Sequence, residues 1–264
     1  MSCEQTTLPF DSGRIENLFR KERHGKDNIA LSQGEALECF TGFGIQGDVH
    51  ANRLSPRQIL ITLQSELDGL SIAAGALHEN VVISSRFAEL FRPGTALITE
   101  RGVEIRLTMF CEPCKRILSV APDLRAMINR RGTLGYIERG GKIGVDDRFT
   151  FLPGRYTALP ESAYQRFLEF VPKIPPGKVV RYSDVTTAIG VADSFVRALP
   201  GYIKRSVGFD IPLHRIVSAE GWLPNYVAAQ AEKLIAEGIQ VKFPNEMLGR
   251  VRGKTELQQH LWHG

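Results

Sequence analysis

FLPGRYTALPES, residues 151–162, divides the chain into two stretches of different periodicity. Pro153, Gly154 and Pro160 interrupt any strand or helix running through it. Upstream, β-branched and apolar runs alternate with turns: ILITL (59–63), NVVIS (80–84), ALIT (96–99), VEIRLTMF (103–110) and RFTFL (148–152). Such runs read as strands of a mostly β barrel or folded sheet, with helices expected over Ser65–Ala73 and Ala121–Asn129. Downstream the period changes. Phe167, Leu168 and Val171 stand at helical spacing in 162–171, and KVVRYSDVTTAIG (178–190) gives a short strand and a compact helix ending at Gly190. VADSFVRALPGYIKR (191–205) offers Asp193 as the N-cap of a second helix, and Ala228–Glu237 gives a last helix closed by Gly238. Two short helices joined by a tight turn form a helix-turn-helix pattern. The expected organisation is a β-rich domain over 1–152, a linker over 153–160, a mainly α, winged helix-turn-helix-like domain over 161–243 and a tail over 244–264.

The 264 residues suffice for two modest cores, and 43% hydrophobic with 23% charged residues is an ordinary globular balance. No apolar run reaches the length of a membrane span. The opening MSCEQTTLPFDSGR has no basic region followed by an apolar one, so a cytoplasmic location is expected. The net charge of +4 is too mild to indicate nucleic acid by itself. Up to residue 160 there are 20 basic and 19 acidic residues, and beyond it 13 and 10, so any DNA contact depends on local placement of charge.

GFGIQGD (42–48) contains a literal G-x-G-x-x-G, but DVHANRLSPRQ follows it where a dinucleotide site needs a helix, so that reading is rejected. The cysteines, Cys3, Cys39, Cys111 and Cys114, all lie in the first half. CEPC (111–114) lacks the second pair of a zinc ribbon and the βαβ setting of a redox motif. A reactive thiol and a buried structural cysteine both remain open.

In the second half, IPPGKVVRYSDV, IG…VRALPGYI, IPLHRIVSAEGWLPNY and LIAEGI occur in order. Together they resemble the DNA-binding domain of alkylguanine-DNA alkyltransferases over roughly 161–243. That family carries Pro-Cys before His-Arg; here Leu213 stands in the cysteine's place. Leucine has no lone pair and no ionisable proton, so alkyl transfer by this domain is excluded. The chain is closer to the alkyltransferase-like proteins that bind a lesion without repairing it. The resemblance implies that Tyr182 crowds the target phosphate and that Arg197 fills the gap left by an extruded base. Unstacking a base costs a few kcal/mol, which a guanidinium plane offsets by stacking. It further implies that Gly201 faces the groove, that His214 and Glu237 become structural partners beside Arg215, and that Asn225 and Tyr226 close over the base. Pro200 is expected inside the recognition helix, where it costs ~3 kcal/mol, and Tyr202 is expected to alter groove contact.

In the first half GIQGDVH, SPRQILI, LHENVVIS, LFRPGT, VEIRLTMFCEPC, RRGTLG and GGKIGVDD resemble, in order, a MOSC domain, the module at the C-terminus of molybdenum-cofactor sulfurases, over roughly 15–152. VDD replaces the usual Gly-Asp and LHEN the usual Gly-Glu-Asn. The resemblance implies that Cys114 carries sulfur or ligates molybdenum, chemistry suited to a soft thiolate. It implies that Arg57, Gln58, Glu79, Asn80 and Arg106 hold the anionic pterin of a molybdenum cofactor, and it associates the module with pyridoxal phosphate enzymes. The lead reading is molybdenum-cofactor or sulfur handling at Cys114, as a reductase or sulfur transferase, coupled to non-catalytic binding of double-stranded DNA. The alternative is a non-enzymatic alkyl-lesion sensor with the first domain as a docking module. Sulfur donors and repair proteins are the further expected partners.

Overall fold

The computed structural model describes residues 12–23, 28–32, 34–243 and 253–264. It divides into two compact units, Met1–Leu159 and Pro160–Gly264. The first unit contains β1 (Gly13–Arg20), β2 (Ile29–Ala30), β3 (Ala36–Phe40), β4 (Gly44–Ile45), β5 (Ile59–Leu63), helix α1 (Gln64–Leu70), β6 (Val81–Ser85), β7 (Ala96–Thr99), β8 (Glu104–Phe110), β9 (Thr133–Arg139), β10 (Gly141–Gly144) and β11 (Arg148–Leu152). The principal sheet runs β11-β7-β8-β9-β5-β6-β1-β2, and β11 pairs back with β1 to close a barrel. Closure removes exposed edges. Neighbouring strands in it are antiparallel except β5 and β6, which are parallel and joined by the crossover that contains α1. A smaller sheet has the order β10-β3-β4.

Strand alternation places the core. Ile59, Ile61 and Leu63 of β5, Val81 and Ile83 of β6, Ile105 and Leu107 of β8, and Phe149 and Phe151 of β11 fill the interior. Ile15 and Leu18 of β1 both join them despite their odd spacing, because a register shift between Ile15 and Asn17 resets the parity. A second cluster, including Phe19, Val82, Leu67 of α1, Ile117 and Met127, covers part of the outer face. The helix expected at Ala121–Asn129 is absent: the segment is a series of turns, with Met127 N bonded to Leu124 O at 3.3 Å and Ile128 N to Arg125 O at 3.2 Å. Pro122 donates nothing, Asp123 Oδ1 takes the Arg125 amide at 2.9 Å and Asn129 turns left-handed at φ 61°, which leaves no room for a regular turn of helix.

The seam is anchored rather than free. Tyr156 N bonds Gly94 O at 3.1 Å, and Arg155 Nε and the Tyr156 hydroxyl converge on buried Glu104 at 2.6 and 2.7 Å. The pattern had shown the break in periodicity but not these side-chain ties.

The second unit holds α2 (Ala163–Phe170), β12 (Val180–Arg181), α3 (Tyr182–Ala188), α4 (Leu199–Arg205), β13 (Ile216–Val217), α5 (Gln230–Ala236), β14 (Val241–Lys242), β15 (Lys254–Thr255) and α6 (Leu257–His260). Ser162 caps α2, its side chain accepting from Gln165 N at 3.4 Å. Phe167, Val185, Ile189, Leu199, Ile203, Ile216 and Leu234 are fully buried, and a side chain as large as Phe167 contributes about 3 kcal/mol by leaving water. The second helix differs from expectation. Asp193 is not its cap but the first residue of a 3-10 turn, Asp193–Arg197, and α4 begins only at Leu199. Pro200 therefore sits in the first turn of α4 rather than its interior, where its missing N–H costs nothing and its fixed φ suits the helix. The expected kink does not arise.

Residues 253–264, read from sequence as part of a tail, belong to this unit. Thr255 pairs with Val241, Leu261 bridges to Val179, and the Trp262 ring stacks 5.9 Å from Phe170. Among the described residues no helix is long and apolar enough to cross a membrane.

Candidate functional site

In the second unit the residues singled out from sequence fall into three groups. Leu213, 6% exposed, opens a 3-10 turn with His214 and Arg215. His214 Nε2 lies 2.8 Å from Glu237 Oε1. Arg215 grips the same carboxylate, Nε at 3.1 Å from each oxygen and Nη2 at 2.7 Å from Oε1, while its Nη1 reaches Ile174 O at 2.5 Å. Glu237 also takes the Gly177 amide at 3.1 Å. Burial alone would raise the Glu237 pKa, but the Arg215 fork, His214 and the Gly177 amide outweigh it and hold it at about 2. Gln230 reaches from α5 to the carbonyls of His214 and Ile216 at 2.9 and 3.0 Å. His214, Arg215, Glu237 and Gln230 form one hydrogen-bonded network in the segment that holds Leu213.

The second group is Tyr182, the first residue of α3, and Tyr226, whose hydroxyls are hydrogen-bonded. Asp184 holds that helix start by accepting the Arg181 amide at 2.8 Å and its guanidinium at 2.9 Å. Lys204 of α4 lies 5.2 Å over the Tyr226 ring. The third group is surface: Arg197, Gly201 and Asn225 are exposed, and a Cβ at Gly201 would meet nothing within 4 Å. Tyr202 packs inward, its ring 5.0 Å from Tyr164, 5.8 Å from Phe167 and 5.3 Å from Phe195. It is part of an aromatic cluster and only partly exposed. Lys204 and Arg205, the latter 4.1 Å over Tyr164, were not singled out from sequence, although cations in the last turn of a helix are a legible signal.

In the first unit Cys111 and Cys114 part company. Cys111 is buried with Leu60, Leu134 and Met109, its amide is bonded to Gly132 O at 2.9 Å, and burial pushes its thiol up. It is structural. Cys114 is half-buried. Burial again opposes its ionisation, but the Arg116 amide and the Arg131 guanidinium, whose Nη1 stands 3.1 Å from Sγ, outweigh it and pull the pKa below its ordinary value. Arg131 is not singled out by sequence: nothing local in RRGTLG distinguishes it from Arg130, which pairs with Glu66 at 2.6 Å.

Gln58, Glu79, Asn80 and Arg106 are held by partners other than Cys114. Gln58 is fully buried, its amide accepting from Ile137 N at 2.9 Å and donating to Asn52 O at 3.0 Å. Glu79 is buried, bonds Gly75 N at 2.6 Å and has a pKa raised by burial. Asn80 joins Leu60 N to Asp48, at 2.9 Å each. Arg106 pairs with Glu138 at 2.9 Å between the rings of Tyr136 and Tyr156, 5.1 and 5.5 Å away. Arg57 is half-buried, and its charge reaches Cys111. A pterin phosphate needs donors facing outward, which Gln58 and Asn80 do not supply; the side chains that fit a sulfur-bound anionic group are Cys114 and Arg131.

Residues 162–239 match the family described as 6-O-methylguanine DNA methyltransferase, DNA binding domain. No curated protein matches the chain. Among solved structures it is similar to the YuaD protein of Bacillus subtilis, at 20% identity over 52% of this chain and 94% of that one, with a TM-score of 0.45. It is also similar to YiiM from Escherichia coli, at 16% identity over 75% and 94% with a TM-score of 0.41. A third is S. pombe Atl1 in complex with damaged DNA containing O6-carboxymethylguanine, at 20% identity over 40% and 99% with a TM-score of 0.34.

Proposed function

We propose that the second unit binds duplex DNA and receives an altered base without reacting with it, and that the barrel carries a sulfur site at Cys114 of MOSC type. The observation that carries the first part is Leu213. It is buried at the nucleophile's position in a segment matched to a DNA binding domain, with His214, Arg215 and Glu237 intact beside it. Tyr182 and Tyr226 would border the base, and Arg197 would occupy the vacated stack. At Cys114 the thiolate would hold sulfur or molybdenum. A bound molybdenum centre would supply oxygen-atom transfer, and one substrate class consistent with both units is an N-hydroxylated base.

A second reading, a lesion sensor without turnover, is favoured by Gln58 and Asn80, whose amides serve the backbone and Asp48 instead of a ligand.

Mass spectrometry after incubation with a duplex containing O6-methylguanine is expected to show no alkyl group on the protein. Arg197→Ala is expected to weaken binding of that duplex by roughly five- to 150-fold, the equivalent of about 1–3 kcal/mol for one lost base-level arginine contact. An alkylated protein, or an Arg197→Ala variant that binds like the wild type, would overturn the reading.

A further inference from the structure

A cavity of about 330 Å³ opens in the first unit, lined by residues of the segments 88–92 and 129–132 together with Leu63, Glu66 and Phe110. Neither Cys111 nor Cys114 lines it. Its volume lies at the small end of the ~300–1,000 Å³ typical of ligand cavities, room for one small molecule. Leu63 and Phe91, both core residues of the barrel, join Phe110 in an apolar wall.

Four charged side chains share the lining, and they are not equivalent. Glu66 and Arg130 hold each other at 2.6 Å. Glu89 and Arg92 are exposed, and among the described residues neither has an ion pair or a side-chain hydrogen bond. Three positions apart, they would pair along the face of a continuing helix. The 3-10 turn Ala88–Leu90 ends too soon for that: Phe91 leaves helical backbone at ψ 72° and packs into the core. The cavity therefore presents one unpaired charge of each sign beside an apolar wall.

That pattern of signs decides the class of ligand. A dianion such as phosphate would reach Arg92 but would also face Glu66 and Glu89. A bare metal cation would face Arg92 and Arg130. A zwitterion meets both free charges, its carboxylate on the guanidinium fork and its ammonium on Glu89. An apolar side chain on the same molecule would leave water against Phe91 and Phe110.

We propose that this cavity binds a free apolar α-amino acid, with Arg92 on its carboxylate, Glu89 on its ammonium and Leu63, Phe91 and Phe110 around its side chain. Binding is reversible and no covalent bond changes. The site stands apart from the readings of Cys114 and of the DNA-binding segment, neither of which uses any of these residues.

Isothermal titration of the full chain with L-phenylalanine tests it. The wild type is expected to bind one molecule per chain. L-alanine lacks the ring, N-acetyl-L-phenylalanine the ammonium and L-phenylalaninamide the carboxylate, and each is expected to bind about tenfold more weakly or worse. Arg92→Gln is expected to weaken L-phenylalanine about tenfold and leave the amide little changed, whereas Glu89→Gln weakens L-phenylalanine and leaves the N-acetyl compound little changed. Both side chains are exposed and without partners among the described residues, so both variants should keep the wild-type thermal unfolding midpoint. No saturable binding of L-phenylalanine by the wild type, or variants that bind it as the wild type does, overturns the inference. An equal loss for L-phenylalanine and its amide in Arg92→Gln also overturns it, because the guanidinium would then not be reading the carboxylate.

Discussion

Glu237→Ala is expected to lower the stability of the second unit at neutral pH by about 3 kcal/mol, because removing one partner strands the others. Arg215, His214 and the Gly177 amide all converge on this carboxylate. Its loss leaves a guanidinium of 13% side-chain exposure without a counter-charge. The same carboxylate sets an acid limit. Its folded pKa of about 2 lies below the ordinary 4.5, so its stabilisation is complete above about pH 4.5 and is lost as pH falls toward 2. Allowing for solvent screening at a partly open site, that term is about 2 kcal/mol. Urea titrations at neutral pH and at about pH 3 read it: the wild type should lose more than half of this increment between the two, and Glu237→Gln should not. Equal pH dependence in both would contradict the assignment.

Gly132→Ala is expected to destabilise the barrel by about 3 kcal/mol or more, combining backbone strain with a clash that no rotamer relieves. Gly132 stands at φ +117°, and an added Cβ would lie 2.4 Å from Ile61 O and 2.7 Å from Thr62 Oγ1. The residue also receives the Cys111 amide and directly follows Arg131, so the change reaches the candidate thiol site. Gly102→Ala is the control. Gly102 has φ +84° with nothing within 4 Å, and strain alone should cost about 1 kcal/mol. Urea midpoints for the two variants test the difference; similar losses would mean the contact with β5 is not limiting.

The strands were legible because their alternation is local. ILITL, ALIT and RFTFL became β5, β7 and β11 with the expected bounds. Barrel closure was not, since pairing of β11 with β1 joins residues such as Gly13 and Phe149 that no window spans. The failed helix at Ala121–Asn129 had helical spacing, but Pro122 and the Asx turn at Asp123 overrode it. Pro200 misled in the other direction, because its cost depends on whether a helix starts before or at it. In the second unit the partnership of His214 and Arg215 with Glu237 was legible through ordered motifs, and the structure added the inward packing of Tyr202 and the Gln230 ties. In the first unit Cys114 was reached from its motif. Arg131 was not, because its partner lies 17 positions away and the contact exists only once β9 is laid beside β8.

The second unit is proposed to read an altered base with leucine, not a nucleophile, at position 213. Equilibrium binding of the full chain to two matched duplexes, one carrying O6-methylguanine and one unmodified guanine, tests it most directly. Two salt concentrations separate phosphate attraction, which is salt-sensitive and blind to sequence, from recognition of the base. Tighter binding to the methylated duplex is expected, with a preference that persists at the higher salt while both affinities fall. Equal affinity for the two duplexes at both salts, or no binding at all, would contradict it.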